Sequence, residues 1–169
     1  DHNRVVCNVA LLLLSTGARL NEALSATWKN IDCKNRVWVI PAANSKSRKV
    51  RSIPLNDSAL NVLKSLDTEG EYEHLFINKR TQERLKYIHK SWSRIRVQSG
   101  LENLRIHDLR HSYASMLCAD NISMVHIQAI LGHADFSTTQ RYLHLSSKTL
   151  QESAASASNA INRAMTVAS

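Results

Sequence analysis

The chain has 169 residues, 43% of them hydrophobic, and a formal net charge of +8. That length suits one domain with room for a core, and no apolar run approaches the roughly 18 residues of a membrane span, so no membrane partner is expected. Cys7, Cys33 and Cys118 are odd in number, widely spaced and without a C-x-x-C pair, which points to reduced thiols in a cytosolic protein and away from a disulfide framework.

The charge is unevenly spread. Residues 1–56 carry nine cations against three acids, 57–78 one against five, 79–110 nine against three, and 111–169 three of each. Two basic blocks around an acidic one suggest a single positive face and a nucleic-acid partner. Asp1-His2-Asn3-Arg4 leads straight into an apolar helical pattern and is unlike a signal peptide. With no initiator Met, the chain is expected to be a fragment of something longer.

Residues 3–15 (NRVVCNVALLLLS) read as a buried helix ending at Ser15-Thr16-Gly17. A short helix follows from Ala18 to Leu24, where Arg19 and Glu22 stand one turn apart, so that the carboxylate can hold the guanidinium without using all its donors. An ordinary surface ion pair would share that spacing. From Trp28 the pattern changes. Ile31–Cys33, Arg36–Pro41 and Val50–Leu55 read as three short strands. The link from Ala43 to Lys49 places Ser45-Lys46-Ser47-Arg48-Lys49 at a hairpin tip, a basic element suited to a DNA groove. Helices are expected at about 57–66 and 84–99, joined through the acidic link Asp67–Glu73 and a short Leu75-Phe76-Ile77 segment. The second of them carries Arg84, Lys86, Lys90, Arg94 and Arg96, which fits phosphate tracking. Further helices are expected at about 107–119, 123–131 and 137–144. A last one, 147–165, has Leu150, Ala154, Ala157, Ile161 and Met165 on one stripe. The fold class is therefore mostly α with a small three-stranded antiparallel sheet, in one domain over 1–169.

The densest chemistry lies between His107 and Tyr142. In HDLRH, His107, Arg110 and His111 stand at i, i+3 and i+4 and share a helix face. Gly132 takes the left-handed position that ends the next helix, which leaves His133 in the turn beyond. Ser137-Thr138-Thr139-Gln140 has the capping-box form, starting a helix with Arg141 and Tyr142. Singly, each residue has a bland reading. Histidine pairs at this spacing are more often structural, and Tyr72, Tyr87 and Tyr113 are as available as Tyr142. Jointly, a cation, imidazoles and a phenol suggest a phosphate site with a tyrosine nucleophile.

In order along the chain, TGARLNEAL, NSKSRKVRSIPL, HDLRHSYASML and LGHADFSTTQRYLHL resemble the motifs of the tyrosine recombinases of the phage-integrase family, and the resemblance covers nearly the whole chain. It implies a DNA-recombining enzyme that works through a covalent 3′-phosphotyrosyl intermediate, in integration or excision of a mobile element. By motif, Arg19 and Arg110 resemble the two catalytic arginines, His107 the histidine of H-x-x-R, His133 that of the third motif, and Tyr142 the nucleophile. Lys46 resembles the hairpin lysine, preferred over Lys49, and Glu22 the acid after the first arginine. Arg48, Lys49, Arg51, Lys90 and Arg94 are expected to contact DNA. The resemblance further implies double-stranded DNA as partner, a free monomer that forms a homotetramer on DNA, possible accessory DNA-bending proteins, and a cytoplasmic, nucleoid-associated location. It also implies an N-terminal core-binding domain ahead of this one, absent here. Residues 147–165 would dock either on their own domain or on a neighbouring protomer.

The chemistry asks for such residues. A pentavalent phosphorus concentrates negative charge that two guanidiniums answer by bidentate donation. Tyrosine, with a pKa of about 10, needs a base, and the leaving 5′-oxygen needs a proton, assigned to Lys46. No P-loop, Gly-rich cradle or carboxylate cluster for paired metals occurs, so no cofactor and no metal are expected. Three other readings compete. A type IB topoisomerase-like nicking-closing enzyme would share the catalytic set. A DNA-binding module without catalysis would share the charge. A metalloprotein would use His107, His111 and His133, although HDLRH lacks the glutamate of HExxH.

Overall fold

The computed structural model describes residues 2–132. The helices expected at 137–144 and 147–165 lie outside them, as do His133 and Tyr142.

Helix α1 (His2–Thr16) is the axis of the fold, packed against four other helices. Val6, Val9, Leu12 and Leu13 are buried along one face, each worth about 1.5–3 kcal/mol when fully removed from water. The helix stops at Gly17, which has φ +66°. A Cβ there would stand 2.8 Å from Leu131 Cδ2 and closer still to the Tyr113 ring, so glycine serves both the turn and the packing. Helix α2 (Leu20–Leu24) follows at once, with Arg19 in the extended conformation just before it.

Strands β1 (Ile31–Asp32), β2 (Val37–Ile40) and β3 (Arg51–Pro54) form an antiparallel sheet in that order. Trp38, Ile40 and Ile53 turn one face into the α1 core. Ile40 pairs with Arg51 at the mouth of the loop 41–50. Helix α3 (Asp57–Lys64) is capped by Asn56, whose side chain accepts from Ala59 N–H at 2.9 Å and donates to the Ser15 carbonyl at 2.8 Å, tying α3 to the end of α1. Helix α5 (Asp108–Ala119) and helix α6 (Met124–Leu131) build a smaller cluster from Tyr113, Ala114, Cys118, Ile127 and Leu131.

The expected mostly helical fold with a three-stranded antiparallel sheet is present. One expectation fails. Residues 84–88 are not helical, because β4 (Ile77–Asn78) pairs with β5 (Glu83–Arg84) and the Leu85 N–H continues the pairing to the Phe76 carbonyl. Helix α4 begins only at His89 and runs to Gln98. Here the pairing of a tight hairpin overrides residues with good helix propensity. No helix among the described residues is long and apolar enough to cross a membrane.

Candidate active site

The end of α6 organises the site. Gly132, at φ +63° and ψ +45°, closes the helix in the left-handed conformation. The last carbonyls of a helix lack intrahelical donors and carry the negative end of its dipole. Three guanidiniums take them in succession. Arg51 Nη1 donates to the Ile130 carbonyl at 2.8 Å, Arg110 Nη2 to that of Leu131 at 2.6 Å, and Arg19 Nη2 to that of Gly132 at 3.4 Å. Arg110, on α5 and only 4% exposed, also donates to the Gly17 carbonyl. Two turns that the glycines make possible thus position one arginine.

Glu22 completes the arrangement. Its Oε2 accepts from the Arg19 backbone N–H at 2.7 Å, the acidic half of a capping box. Oε1 accepts from Arg19 Nη1 at 3.1 Å, and Oε2 accepts again from Arg51 Nη2 at 2.6 Å. The side chains of Glu22 and Arg51 are 1% and 9% exposed. Removing one partner of such a buried pair costs about 3–5 kcal/mol. Arg19 keeps part of its guanidinium open to a cleft of about 720 Å³, whose lining includes Glu22, Lys46, Arg84, Lys86 and His107.

His107 stands at the N-terminus of α5, its ring edge-on to His111 with centroids 4.8 Å apart. Burial, with the nearby His111 and Arg110 adding like charge, holds its imidazole below the ordinary value, so it is neutral at pH 7 and able to accept a proton. Lys46 lies in the loop 41–50 and is exposed, as are Arg48 and Lys49. Lys90 and Arg94 are exposed one turn apart on α4. Among the described residues no group of three His, Cys, Asp or Glu side chains is placed to hold a metal ion.

The structure therefore brings together Arg19, Glu22, Lys46 and His107 around one cleft, with Arg110 fixed behind Arg19. His133 begins immediately after the Gly132 turn and, with Tyr142, is beyond the described residues. Arg51 departs from its expected place on a DNA-facing hairpin. It points inward, because it shares strand parity with Ile53, which is fully buried; that period-two alternation was the available signal. Arg84 and Lys86, expected on a helix, instead reach the cleft from β5 and the turn after it.

With this geometry in view, comparisons give it a context. The profile of the phage integrase family matches residues 3–149. The chain is 28% identical over 159 residues to the integrase of Salmonella phage P22, covering 87% of this chain and 41% of that one. It is 33% identical over 136 residues to the tyrosine recombinase XerA of Saccharolobus solfataricus, covering 79% of this chain and 44% of that one. The chain spans about half the length, or somewhat less, of these curated relatives. Among solved structures, XerH site-specific recombinase bound to its difH substrate in a pre-cleavage complex superposes with a TM-score of 0.69 at 27% identity, covering 90% of this chain and 45% of that one. A family match across residues 3–149, with catalytic-type residues from three separate segments gathered at one cleft, places the chain in the phage integrase family of tyrosine recombinases.

Proposed function

We propose that the chain is the catalytic domain, over residues 1–169, of a site-specific DNA recombinase that cuts and rejoins strands through Tyr142. The observation that carries this reading is the convergence of Arg19, Lys46 and His107 on one cleft, with Arg110 locked against α6 behind them. Tyr142 Oη attacks phosphorus while its proton passes to neutral His107. The bond from phosphorus to the 5′-oxygen breaks, and Lys46 gives that oxygen a proton. Arg19 and Arg110 offset the charge on the non-bridging oxygens, with His133 adding a donor. One phosphodiester becomes another, so a free 5′-hydroxyl can reverse the step.

Support for Tyr142 also comes from the other phenols. Tyr113 is buried and its pKa is pushed up by burial, Tyr72 bonds to Gln82, and Tyr87 is largely exposed; none of the three lines the cleft. The partner is double-stranded DNA, tracked by Arg48, Lys49, Lys90 and Arg94. The complete protein carries a DNA-clamping domain ahead of this one. It is a monomer when free, assembles as a homotetramer on paired sites with DNA-bending helpers, and works in the cytoplasm on the nucleoid.

A suicide substrate tests the reading. The protein should be trapped on a 3′-phosphate, and Tyr142→Phe should abolish trapping while DNA affinity stays within about twofold. Trapping that survives in Tyr142→Phe would overturn the assignment.

A further inference from the structure

Arg51 has no role in the chemistry above, yet it touches three parts of the site's framework. It opens β3, opposite Ile40, and so fixes the root of the loop that carries Lys46. Its Nη2 holds the carboxylate that holds Arg19, and its Nη1 holds Ile130 at the end of α6, three residues before His133. Its Cδ, Nε and Cζ lie flat against Gly132, where a Cβ would come within 2.6 Å of Cδ. Its Nε is buried with no hydrogen-bond partner among the described residues. Its two Nη atoms are thus committed to Glu22 and to the Ile130 carbonyl, and it does not line the cleft.

We propose that Arg51 is a positioning residue, the joint that sets the distance between Arg19, the Lys46 loop and the end of α6. The inference rests on the recombinase reading of the same site. A guanidinium is required because its rigid planar fork reaches Glu22 and the Ile130 carbonyl at once, whereas an ammonium is a single point of charge on a flexible stem. Glu22 without Arg51 would have one guanidinium to follow, and Arg19 would drift with it. Displacement of a catalytic group by about 1 Å costs up to about 10²-fold in rate.

The test uses the complete protein, with Arg51→Lys, Arg51→Ala, Glu22→Gln and the double variant Arg51→Lys/Glu22→Gln. Single-turnover cleavage at saturating DNA is measured beside DNA affinity and its salt dependence, with rates taken per DNA-binding-competent molecule. Arg51→Lys should cleave roughly 10- to 100-fold more slowly, with affinity and salt slope unchanged. The double variant should be no slower than the slower single variant, because the two residues act through one contact. Millimolar guanidinium ion should partly restore Arg51→Ala. If Arg51→Ala does not fold, Arg51→Lys and the double variant carry the test alone. A normal rate for Arg51→Lys, or a loss confined to affinity and salt slope, would overturn the proposal while leaving the recombinase reading intact. A wild-type protein that forms no covalent complex would overturn both.

Discussion

Arg51 and Arg110, behind the cleft, and Lys46, Arg48 and Lys49, in the loop that brings Lys46 to it, are all cations held under opposite constraints. The first two side chains are enclosed: Arg110 directs its donors at backbone carbonyls, and Arg51 divides its own between the Ile130 carbonyl and Glu22. The loop residues are exposed, and among the described residues none of them forms an ion pair. Arg19 stands between the two sets, anchored on one side and open on the other. The difference separates two tasks. Stabilising a transition state needs donors already oriented, so that no reorganisation is required during the reaction. Tracking a backbone and delivering a proton need reach, and an exposed loop supplies it.

The largest effect should break that comparison at its two extremes. On ordinary DNA, Arg19→Ala and Lys46→Ala should each lower the cleavage rate about 10²- to 10³-fold. When the 5′-bridging oxygen is replaced by sulfur, the leaving group needs no proton. Lys46→Ala should then recover to within a few-fold of wild type, while Arg19→Ala should not. Equal Lys46→Ala defects on both substrates would make the loop lysine an electrostatic element like those behind the cleft.

A smaller effect sharpens the role of the loop. Arg48→Ala and Lys49→Ala should each reduce the slope of log affinity against log salt by about 0.9, with cleavage at saturating DNA unchanged. A slope equal to wild type in both variants would show that the loop tip does not lie on the phosphates.

The smallest effect is the pH response of His107. Its folded pKa lies below the ordinary value of about 6.5, so the unfolded chain takes up the proton first as pH falls. The associated stability is complete above about 6.5 and is lost as pH drops through the folded value. Solvent screens this partly exposed ring, so the change is modest. His107→Gln should flatten that part of the curve of unfolding midpoint against pH below about 6.5. A curve unchanged by the substitution would assign the titration to another group.

Much of this arrangement was legible in the sequence because local rules govern it. The Arg19–Glu22 pair follows from helical spacing, the Gly132 stop from left-handed backbone, and the three strands from β-branched runs bounded by turn residues. The misreadings have separate causes. Arg84 and Lys86 look helical, and what pulls them away is Phe76 and Ile77, residues across a turn at Gln82 with φ +59°. Arg51 sits in a run of basic residues, and charge alone assigned it to the outside. Its partners, Glu22 and Ile130, are 29 and 79 residues away, and no window of sequence contains all three.

Those separations bear on how the protein becomes active. The bonds to the three carbonyls at the end of α6 span 113, 79 and 21 residues, from Arg19, Arg51 and Arg110. Contacts of such range are closed after local ones, because loop entropy must be overcome first. Before α6 docks, Arg19 and Arg51 share Glu22, Arg110 lacks its Leu131 acceptor, and the three guanidiniums are not yet spaced by the helix end. Afterwards the negative end of the helix lies among them and their spacing is set. On the recombinase reading proposed above, helix docking is a latch on reactivity: a nascent or partly unfolded chain carries the candidate catalytic side chains of the described residues, but not the geometry that would let them act on DNA.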